Sequence, residues 1–242
     1  MKRKLFLSGC LFLGLAILCS CQQQKSDITL GNVMILGDSY STFDGCIPEG
    51  YPSYYTKDSD DLGVTHKKHT WWAQLCKRTD SKLVLNSSYS GSTVCHTGYY
   101  NSDASSYSFL GRLNALCEQG FFEDTDIDTL IIYGGLNDYW AGSPRGEIKY
   151  DAFSDEDAYA VYPAFAMLFQ TAKKALPDAR IIFILEEYLD DEMKNSLREI
   201  CAHLEIEVIE VHGVSKVSGH PDKNGMTKIA DQIISYLKTT NS

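Results

Sequence analysis

The sequence lacks an uninterrupted apolar run long enough to cross a membrane. Its longest apolar stretch, residues 5–18, is broken by serine, cysteine and two glycines, and it follows three cations at residues 2–4. A spanning helix needs roughly 20 apolar residues, whereas a secretory signal needs an apolar core of only about 7–15. We therefore interpret residues 1–20 as a signal peptide and not as a membrane span.

The predicted signal ends in Leu18-Cys19-Ser20-Cys21, which resembles a bacterial lipobox with a small residue before the cysteine to be lipidated. We expect Cys21 to carry the lipid and residues 21–30 to form the lipidated N-terminus and its tether. Ordinary cleavage near Ser20, which would leave Cys21 as a free thiol, is the alternative. The expected location is that of an exported, membrane-anchored lipoprotein in the periplasm or on the cell surface.

Positive charge is also scarce. The chain has 22 Lys and Arg against 32 Asp and Glu, a formal net charge of −10, and removal of residues 1–20 takes away three more cations to leave −13. An acidic surface repels nucleic-acid phosphates and anionic lipid headgroups. We therefore expect no nucleic-acid partner, and membrane attachment only through the N-terminal lipid anchor.

Zinc-type cysteine spacing and a disulfide framework are both missing. With Cys10, Cys19 and Cys21 set aside, five widely spaced cysteines remain, at positions 46, 76, 95, 117 and 201. An odd number leaves at least one thiol unpaired, so we expect buried thiols, with a single disulfide as the alternative. No histidine pair has ligand spacing except His66 and His69, which we assign to a loop, so we expect no metal or other cofactor.

Five short apolar runs alternate with helical patterns. The runs are residues 33–36, 83–85, 130–133, 181–185 and 206–211, and the helical patterns are residues 71–78, 109–118, 155–175, 190–203 and 223–238. Continuous short apolar runs suit strands that are buried on both faces of a parallel sheet. The alternation predicts one domain over residues 31–242, an α/β fold of three layers and flavodoxin-like order, with about five parallel strands and helices on both faces.

Polar turns marked by glycine follow the strands that would carry a site. They contain Asp38-Ser39, Gly91, Asn137-Asp138 and His220-Pro221, and the carboxyl ends of parallel strands meet at one edge of a sheet. A serine hydroxyl attacks an acyl carbon only when a base takes its proton and donors hold the oxyanion. We expect Ser39 as nucleophile, His220 as base, and the backbone N–H groups of Ser39 and Gly91 with the Asn137 amide as the oxyanion hole.

These turns resemble, in the same order, the four conserved blocks of the SGNH/GDSL hydrolases. The resemblance runs from Val33 to the final helix and includes Asn86 before Gly91. It implies an esterase or acylhydrolase of flavodoxin-like fold that forms an acyl-enzyme without a metal. It also implies the roles given above for Ser39, Gly91, Asn137 and His220, with Asp38, Asn86 and Asp138 as supporting residues.

One position departs from the family pattern. Most members have an aspartate three residues before the histidine, and this chain has Val217 there. We expect the Val217 backbone carbonyl to accept the imidazole N–H, with the side chains of Glu210 or Asp222 as alternatives. Because a neutral acceptor supports the imidazolium less than a carboxylate does, modest turnover is expected.

Two tyrosine-rich insertions, residues 42–70 and 97–108, are long for a compact domain and therefore indicate a function. Aromatic rims stack on sugar rings, so an acylated carbohydrate is the expected substrate class. The alternative is that these tyrosines only cover sheet edges. The residues expected to line the cleft are Tyr40, His96, Tyr139 and Trp140, with Arg145 for an anionic substrate group.

Two other functions stay open at this stage. A (lyso)phospholipid acylhydrolase is plausible beside a membrane anchor, but it would need an apolar lid, and the loops are polar. A glycan-binding lipoprotein of weak catalytic activity would explain the absent aspartate. The presence of Ser39, Gly91, Asn137 and His220 together argues against that second alternative.

Overall fold

The computed structural model describes residues 28–240. The predicted signal peptide, Cys21 and most of the predicted tether lie outside these residues. No helix between residues 28 and 240 combines the length and apolarity that membrane crossing requires.

The centre of the fold is a parallel sheet of five strands in the order β2-β1-β3-β4-β5. The strands are β1 (Asn32–Gly37), β2 (Lys82–Ser88), β3 (Thr129–Tyr133), β4 (Arg180–Glu186) and β5 (Glu207–Val211). All five residues of β3 are buried, which matches its unbroken apolar sequence. This order is the flavodoxin-like one, so the predicted fold is confirmed.

Helices cover both faces of the sheet. On one face α1 packs against α6, and on the other α4 packs between α2 and α5. The helices are α1 (Trp71–Arg78), α2 (Phe109–Glu118), α3 (Leu136–Ala141), α4 (Val161–Ala175), α5 (Asp191–His203) and α6 (Lys223–Thr240). The sheet is thereby the middle layer of three, and its carboxyl edge is free for the loops.

The predicted helix over residues 155–175 is wrong at its start. The segment forms a 3₁₀ turn, Asp155–Tyr159, and α4 begins only at Val161. Ala160 between them is extended (φ −117°, ψ 143°), and a capping box between Ser154 and Asp157 closes the short turn on its own. The helical periodicity of the sequence therefore extends over residues 155–160, although the backbone helix begins only at Val161.

A short antiparallel hairpin was not predicted. It consists of β6 (Lys216–Val217) and β7 (His220–Pro221), joined by a turn of two residues. Both turn residues have positive φ, 50° at Ser218 and 82° at Gly219, as a tight hairpin turn of this length requires. The hairpin lies directly before α6 and carries the predicted base.

All five cysteines in the described part of the chain are free thiols. Cys76, Cys95 and Cys201 are buried, whereas Cys46 and Cys117 are half-buried. Burial raises the pKa of the three buried thiols, to about 11 for Cys76 and about 12 for Cys201, which keeps these two as inert packing groups at neutral pH.

Candidate active site

The end of β1 leads into a 3₁₀ turn, Ser39–Ser41, at the carboxyl edge of the sheet. Asp38 caps this turn, because its Oδ1 accepts the backbone N–H of Tyr40 at 3.0 Å. The Ser41 carbonyl accepts two further bonds, from Asn86 Nδ2 at 2.8 Å and from Trp72 Nε1 at 2.9 Å. The neighbouring strand and α1 thus hold the turn on which Ser39 lies.

The fold brings Ser39 and His220 together although 181 residues separate them. His220 Nε2 lies 2.9 Å from Ser39 Oγ, which is hydrogen-bonding distance. The β6–β7 hairpin presents the imidazole above the 3₁₀ turn, with Nδ1 on the side of the hairpin turn. A base within this distance can take the hydroxyl proton as the oxygen attacks.

The acceptor for the other ring nitrogen differs from the expected one. The oxygen bonded to Nδ1 is the Ser218 carbonyl, at a long 3.4 Å, so the prediction of the Val217 carbonyl is wrong. The physical reason is the hairpin, in which Val217 is the ladder partner of His220, while the carbonyl of the turn residue Ser218 is within reach of Nδ1.

Neither alternative carboxylate serves the histidine. Glu210 forms a bidentate ion pair with Arg198, at 2.7 and 2.9 Å. Asp222 accepts the Ser215 hydroxyl at 2.6 Å and the Gly225 N–H at 2.7 Å, and so caps the start of α6. Both predictions were wrong because these carboxylates already have local partners. Among residues 28–240, no carboxylate bonds to the His220 ring.

An aromatic ring lies flat on the base instead. The rings of Tyr54 and His220 are stacked, with centroids 3.5 Å apart and an interplanar angle of 9°. The Tyr54 N–H donates to Thr42 Oγ1 at 2.9 Å, and that hydroxyl donates to the Ser39 carbonyl at 3.0 Å. One threonine thus connects the nucleophile turn to the tyrosine. Sequence reasoning placed Tyr54 in an aromatic insertion, and no local motif marks it as a neighbour of the histidine.

The surroundings of His220 keep it neutral near pH 7. Burial lowers the pKa of the imidazole below its ordinary value of 6.5, and the nearby Lys216 cation lowers it further. The Ser218 carbonyl acts in the opposite direction, since it accepts a hydrogen bond from the protonated ring. A neutral imidazole is the form that can accept the serine proton.

The two other candidate oxyanion donors are Gly91, in the loop after β2, and Asn137, on α3. Gly91 has φ 81°, a left-handed conformation that favours glycine, and the space that a Cβ would enter is open. Among the described residues, its N–H has no backbone acceptor. Asn137 Nδ2 donates to the Ser92 carbonyl at 3.1 Å and to Asp38 Oδ2 at 3.3 Å, and its Oδ1 accepts from Tyr99 at 2.8 Å.

Asp138 holds the loop that follows Gly91. Its carboxylate accepts the N–H of Val94 at 2.8 and 3.0 Å and the N–H of Cys95 at 3.0 Å. Burial raises the pKa of Asp138 to about 6, and the backbone donors oppose that rise. The predicted supporting role of Asp138 therefore has a concrete form, which is the attachment of the β2 loop to α3.

Arg112 is a supporting residue that sequence reasoning missed. It is buried on α2 and donates to the Gly37 carbonyl at 3.0 Å, to the Ser92 hydroxyl at 3.1 Å and to the Ser87 carbonyl. These bonds connect the ends of β1 and β2 to the loop of Gly91. Burial lowers the pKa of its guanidinium to about 10. An arginine in an amphipathic helix pattern is normally expected on the surface, so the sequence offered no signal.

A buried polar network supports the hairpin. Lys216 Nζ lies 2.9 Å from Glu186 Oε1, and Tyr133 donates to Glu186 Oε2 at 2.7 Å. Tyr40 donates to the Gly219 carbonyl at 2.5 Å. Tyr40 is only 2% exposed, so its prediction as a substrate contact is wrong. Its hydroxyl holds the hairpin turn from below.

Of the other residues predicted to contact the substrate, two are exposed on α3 and two are engaged with other side chains. Trp140 and Tyr139 on α3 are 43% and 38% exposed, and the Trp140 ring lies 6.4 Å from that of His220. The His96 ring packs edge-on against Tyr159 at 5.2 Å, and among residues 28–240 no ring contact joins it to His220. Arg145 is ion-paired with both carboxylate oxygens of Asp190, so it is not a free cation for a substrate and that prediction is wrong.

Exposed aromatic side chains concentrate at this edge of the sheet. Within residues 28–240, every exposed large aromatic residue lies between the end of a strand and the start of the next crossover helix. These residues are Tyr100, Tyr139, Trp140, Tyr159 and Tyr188. Tyr100 is 99% exposed and has a left-handed backbone, φ 59°. Exposed aromatic side chains in the loops at one edge of a sheet are typical of a binding surface.

The arrangement contains the parts of serine-based acyl transfer. A buried hydroxyl, a neutral imidazole and backbone and amide donors lie at one sheet edge, beside a rim of aromatic rings. In the described part of the chain, no group of three or more His, Cys, Asp or Glu side chains is placed to hold a metal ion.

Comparison with known proteins finds a matching family model and similar structures. The family model for GDSL-like lipase/acylhydrolase matches residues 31–237. A protein of known structure assigned as a GDSL-like lipase from Bacteroides ovatus is 38% identical, with a TM-score of 0.80 over 87% of this chain and 99% of that one. A second, from Bacteroides uniformis, is also 38% identical, with a TM-score of 0.80 over 86% of this chain and 96% of that one.

More distant structures share the fold. A family two carbohydrate esterase from Clostridium thermocellum, in complex with cellohexaose, is 14% identical. Its TM-score is 0.59, and the match covers 88% of this chain and 65% of that one. At this identity the likeness concerns the fold alone. No protein of curated function matches the sequence.

Proposed function

The chain belongs to the GDSL-like lipase/acylhydrolase family and is a hydrolase of ester bonds, and we propose that Ser39 and His220 perform the hydrolysis through an acyl-enzyme. The single observation that carries this proposal is the 2.9 Å distance between Ser39 Oγ and His220 Nε2. Among residues 28–240, no other histidine ring nitrogen is hydrogen-bonded to a serine hydroxyl, which supports the proposal further.

The reaction proceeds in two halves. His220 takes the proton of Ser39 as Oγ attacks the acyl carbon, and the tetrahedral oxyanion collapses to the acyl-enzyme when His220 returns that proton to the leaving alcohol. Water then enters, loses its proton to His220, and releases the acid while Ser39 recovers its hydrogen. The oxyanion of each step is bound by the N–H groups of Ser39 and Gly91 and by the Asn137 amide.

Asn137 reaches the oxyanion by exchanging one existing bond. Of its two amide contacts, the one to Asp38 Oδ2 is the longer, at 3.3 Å against 3.1 Å for the Ser92 carbonyl. The hydrogen that faces Asp38 is therefore the one released to the substrate. Tyr99 and Ser92 keep the amide plane fixed during this exchange, so little reorganisation is required.

The proposed substrates are short acyl esters of carbohydrates. The rim of exposed tyrosines and Trp140 offers flat apolar faces, which suit sugar rings. The fold is shared with a carbohydrate esterase that was crystallised with cellohexaose. A (lyso)phospholipid substrate would call for a broad aliphatic surface near the site. In the described residues the exposed large apolar side chains are aromatic, apart from Val217.

The proposed location is the cell envelope. The cationic start, the short apolar run and Cys21 in residues 1–21 support export and lipidation. The carbohydrate substrate would then be a glycan outside the cytoplasm.

Activity measurements on matched variants test the proposed chemistry. We expect Ser39→Ala and His220→Ala each to lower kcat/KM for p-nitrophenyl acetate by at least about 10³-fold, as removal of a nucleophile or its base does. Ser235→Ala on α6 and the exposed His212→Ala are the matched controls and should keep wild-type rates. Equal rates in all five proteins would leave only a glycan-binding function.

The same proteins distinguish the substrate classes. Wild-type protein should release acetate from an acetylated oligosaccharide and should prefer acetyl over octanoyl p-nitrophenyl esters. A preference for octanoyl esters or for lysophospholipid would contradict the carbohydrate assignment and favour a lipid substrate.

A further inference from the structure

A groove of about 750 Å³ runs along α1 on the side of the edge strand β2. It is lined by the 3₁₀ turn Lys67–His69, by α1 and by the start of α6, with Trp72 and Leu83 among its apolar lining residues. Its cationic lining residues are Lys67, Lys68, Lys77, Arg78 and Lys223. We call this feature the basic groove.

Most of this positive charge is uncompensated. Arg78 pairs with Asp231 at 2.7 Å, whereas within residues 28–240 none of the four groove lysines forms an ion pair. The chain as a whole carries a net charge of −10, so the four unpaired lysines in the groove form a local positive region on an acidic protein. A recess of one charge sign concentrates ligands of the opposite sign.

The lowered pKa of His69 is consistent with the positive charge of the groove. The pKa of this groove histidine is lowered, first by burial and then by the neighbouring cations Lys223 and Lys68. His69 therefore adds little positive charge near pH 7, and the four lysines supply it.

The basic groove adjoins the catalytic residues. Trp72, which lines it, donates through Nε1 to the carbonyl of Ser41 in the nucleophile turn at 2.9 Å. Lys223, at its other wall, begins α6 directly after the hairpin that carries His220. The basic groove and the nucleophile turn therefore have Trp72 as a common neighbour.

We propose that the basic groove is a subsite for the anionic sugar residues of an acidic oligosaccharide, bound through carboxylate or sulfate groups. This proposal rests on the proposed carbohydrate esterase function and specifies its substrate. Lysine ammonium groups would pair with the anionic groups, and the apolar lining would contact the sugar rings. Because the groove is recessed and the rest of the surface is acidic, an extended glycan chain fits it better than a flat anionic membrane does.

Calorimetric binding to the mature Ser39→Ala chain tests the subsite without turnover. The probe is a hexamer of uronic acid residues, with cellohexaose as the neutral hexamer of equal length. We expect tighter binding of the hexauronate, with affinity that falls as salt rises. The groove variant Lys67→Gln/Lys68→Gln/Lys77→Gln should weaken hexauronate binding at least tenfold and leave cellohexaose binding unchanged.

The matched control replaces three exposed lysines outside the groove, Lys57→Gln/Lys174→Gln/Lys228→Gln, and should change hexauronate affinity less than twofold. Equal weakening in both triple variants, or no preference for the hexauronate, would overturn the subsite. Groove-dependent binding to phosphatidylglycerol vesicles without hexauronate binding would overturn it in favour of a membrane. The groove variant with Ser39 intact should hydrolyse p-nitrophenyl acetate at the wild-type rate, so failure of the subsite is separable from failure of the esterase mechanism.

Discussion

At the scale of single residues, the base is supported by a ring and a carbonyl where a carboxylate would be expected. The Ser218 carbonyl is 3.4 Å from Nδ1, while Tyr54 covers the imidazole face at 3.5 Å between centroids. An aromatic face attracts a cation above it by about 0.5–2 kcal/mol, depending on exposure. The imidazolium of the proposed acylation step is such a cation, so we expect Tyr54 to stabilise the charged state that the weak carbonyl bond supports poorly.

Replacement of Tyr54 measures this contribution. We expect Tyr54→Leu to lower kcat about tenfold, since about 1.4 kcal/mol of imidazolium stabilisation corresponds to that factor. Tyr54→Phe should keep most of the activity because the ring remains. The acid limb of the kcat/KM profile should move to lower pH in Tyr54→Leu, since the protonated ring loses support.

Tyr51→Leu is the matched control, because Tyr51 contacts Tyr89 and not the histidine. Unchanged kcat and an unchanged pH profile in Tyr54→Leu would show that the stacked ring only fills space.

At the scale of elements, the sequence predicted the sheet but not the β6–β7 hairpin that positions His220. The centres of β1, β3 and β4 are continuous apolar runs, whereas β2 ends in polar residues and β5 contains two glutamates. Helices α1 and α2 begin and end where their periodicity does. The β6–β7 hairpin has only two residues per strand, too short for any period to be read. Its position depends on the buried Lys216–Glu186 pair, which joins residues 30 positions apart.

The site predictions that were wrong share one physical cause. Arg145, Glu210 and Asp222 were predicted as functional from their residue type and position, but each has a charged or hydrogen-bonding partner that only the folded chain supplies. Conversely, Arg112 and Tyr54 reach the site from a helix and a long loop without a motif. Ser39 and Asn137 lie just past the ends of β1 and β3, where the order of a parallel sheet can be inferred from the chain.

At the scale of the whole molecule, buried carboxylates make stability depend on pH in an unusual direction. Burial raises the pKa of Asp38 from 3.8 to about 7, and the nearby Glu186 and Asp138 add to the rise, although the Tyr40 N–H opposes it. Between these two pH values the folded state holds a proton that the unfolded state has lost. The contribution of Asp38 to the free energy of unfolding is therefore full below about pH 4 and falls as pH rises to about 7.

A comparison with Asp38→Asn isolates this effect from other titrating groups. The variant keeps an oxygen to accept the Tyr40 N–H but does not titrate. We expect its free energy of unfolding to rise relative to the wild type by up to roughly 4 kcal/mol between pH 4 and pH 8. Urea unfolding at several pH values measures the difference. A difference that stays constant over this range would contradict the raised pKa.

The pairing of nucleophile and base is tested most directly by covalent labelling with a fluorophosphonate, followed by mass spectrometry of the digested protein. The serine oxygen attacks phosphorus and displaces fluoride while His220 takes the hydroxyl proton, which leaves a stable phosphonyl ester on the serine. The account predicts one adduct, on the peptide that contains Ser39, with labelling at least about 100-fold slower in His220→Ala. An adduct on a different residue, or equally fast labelling without the imidazole, would contradict it.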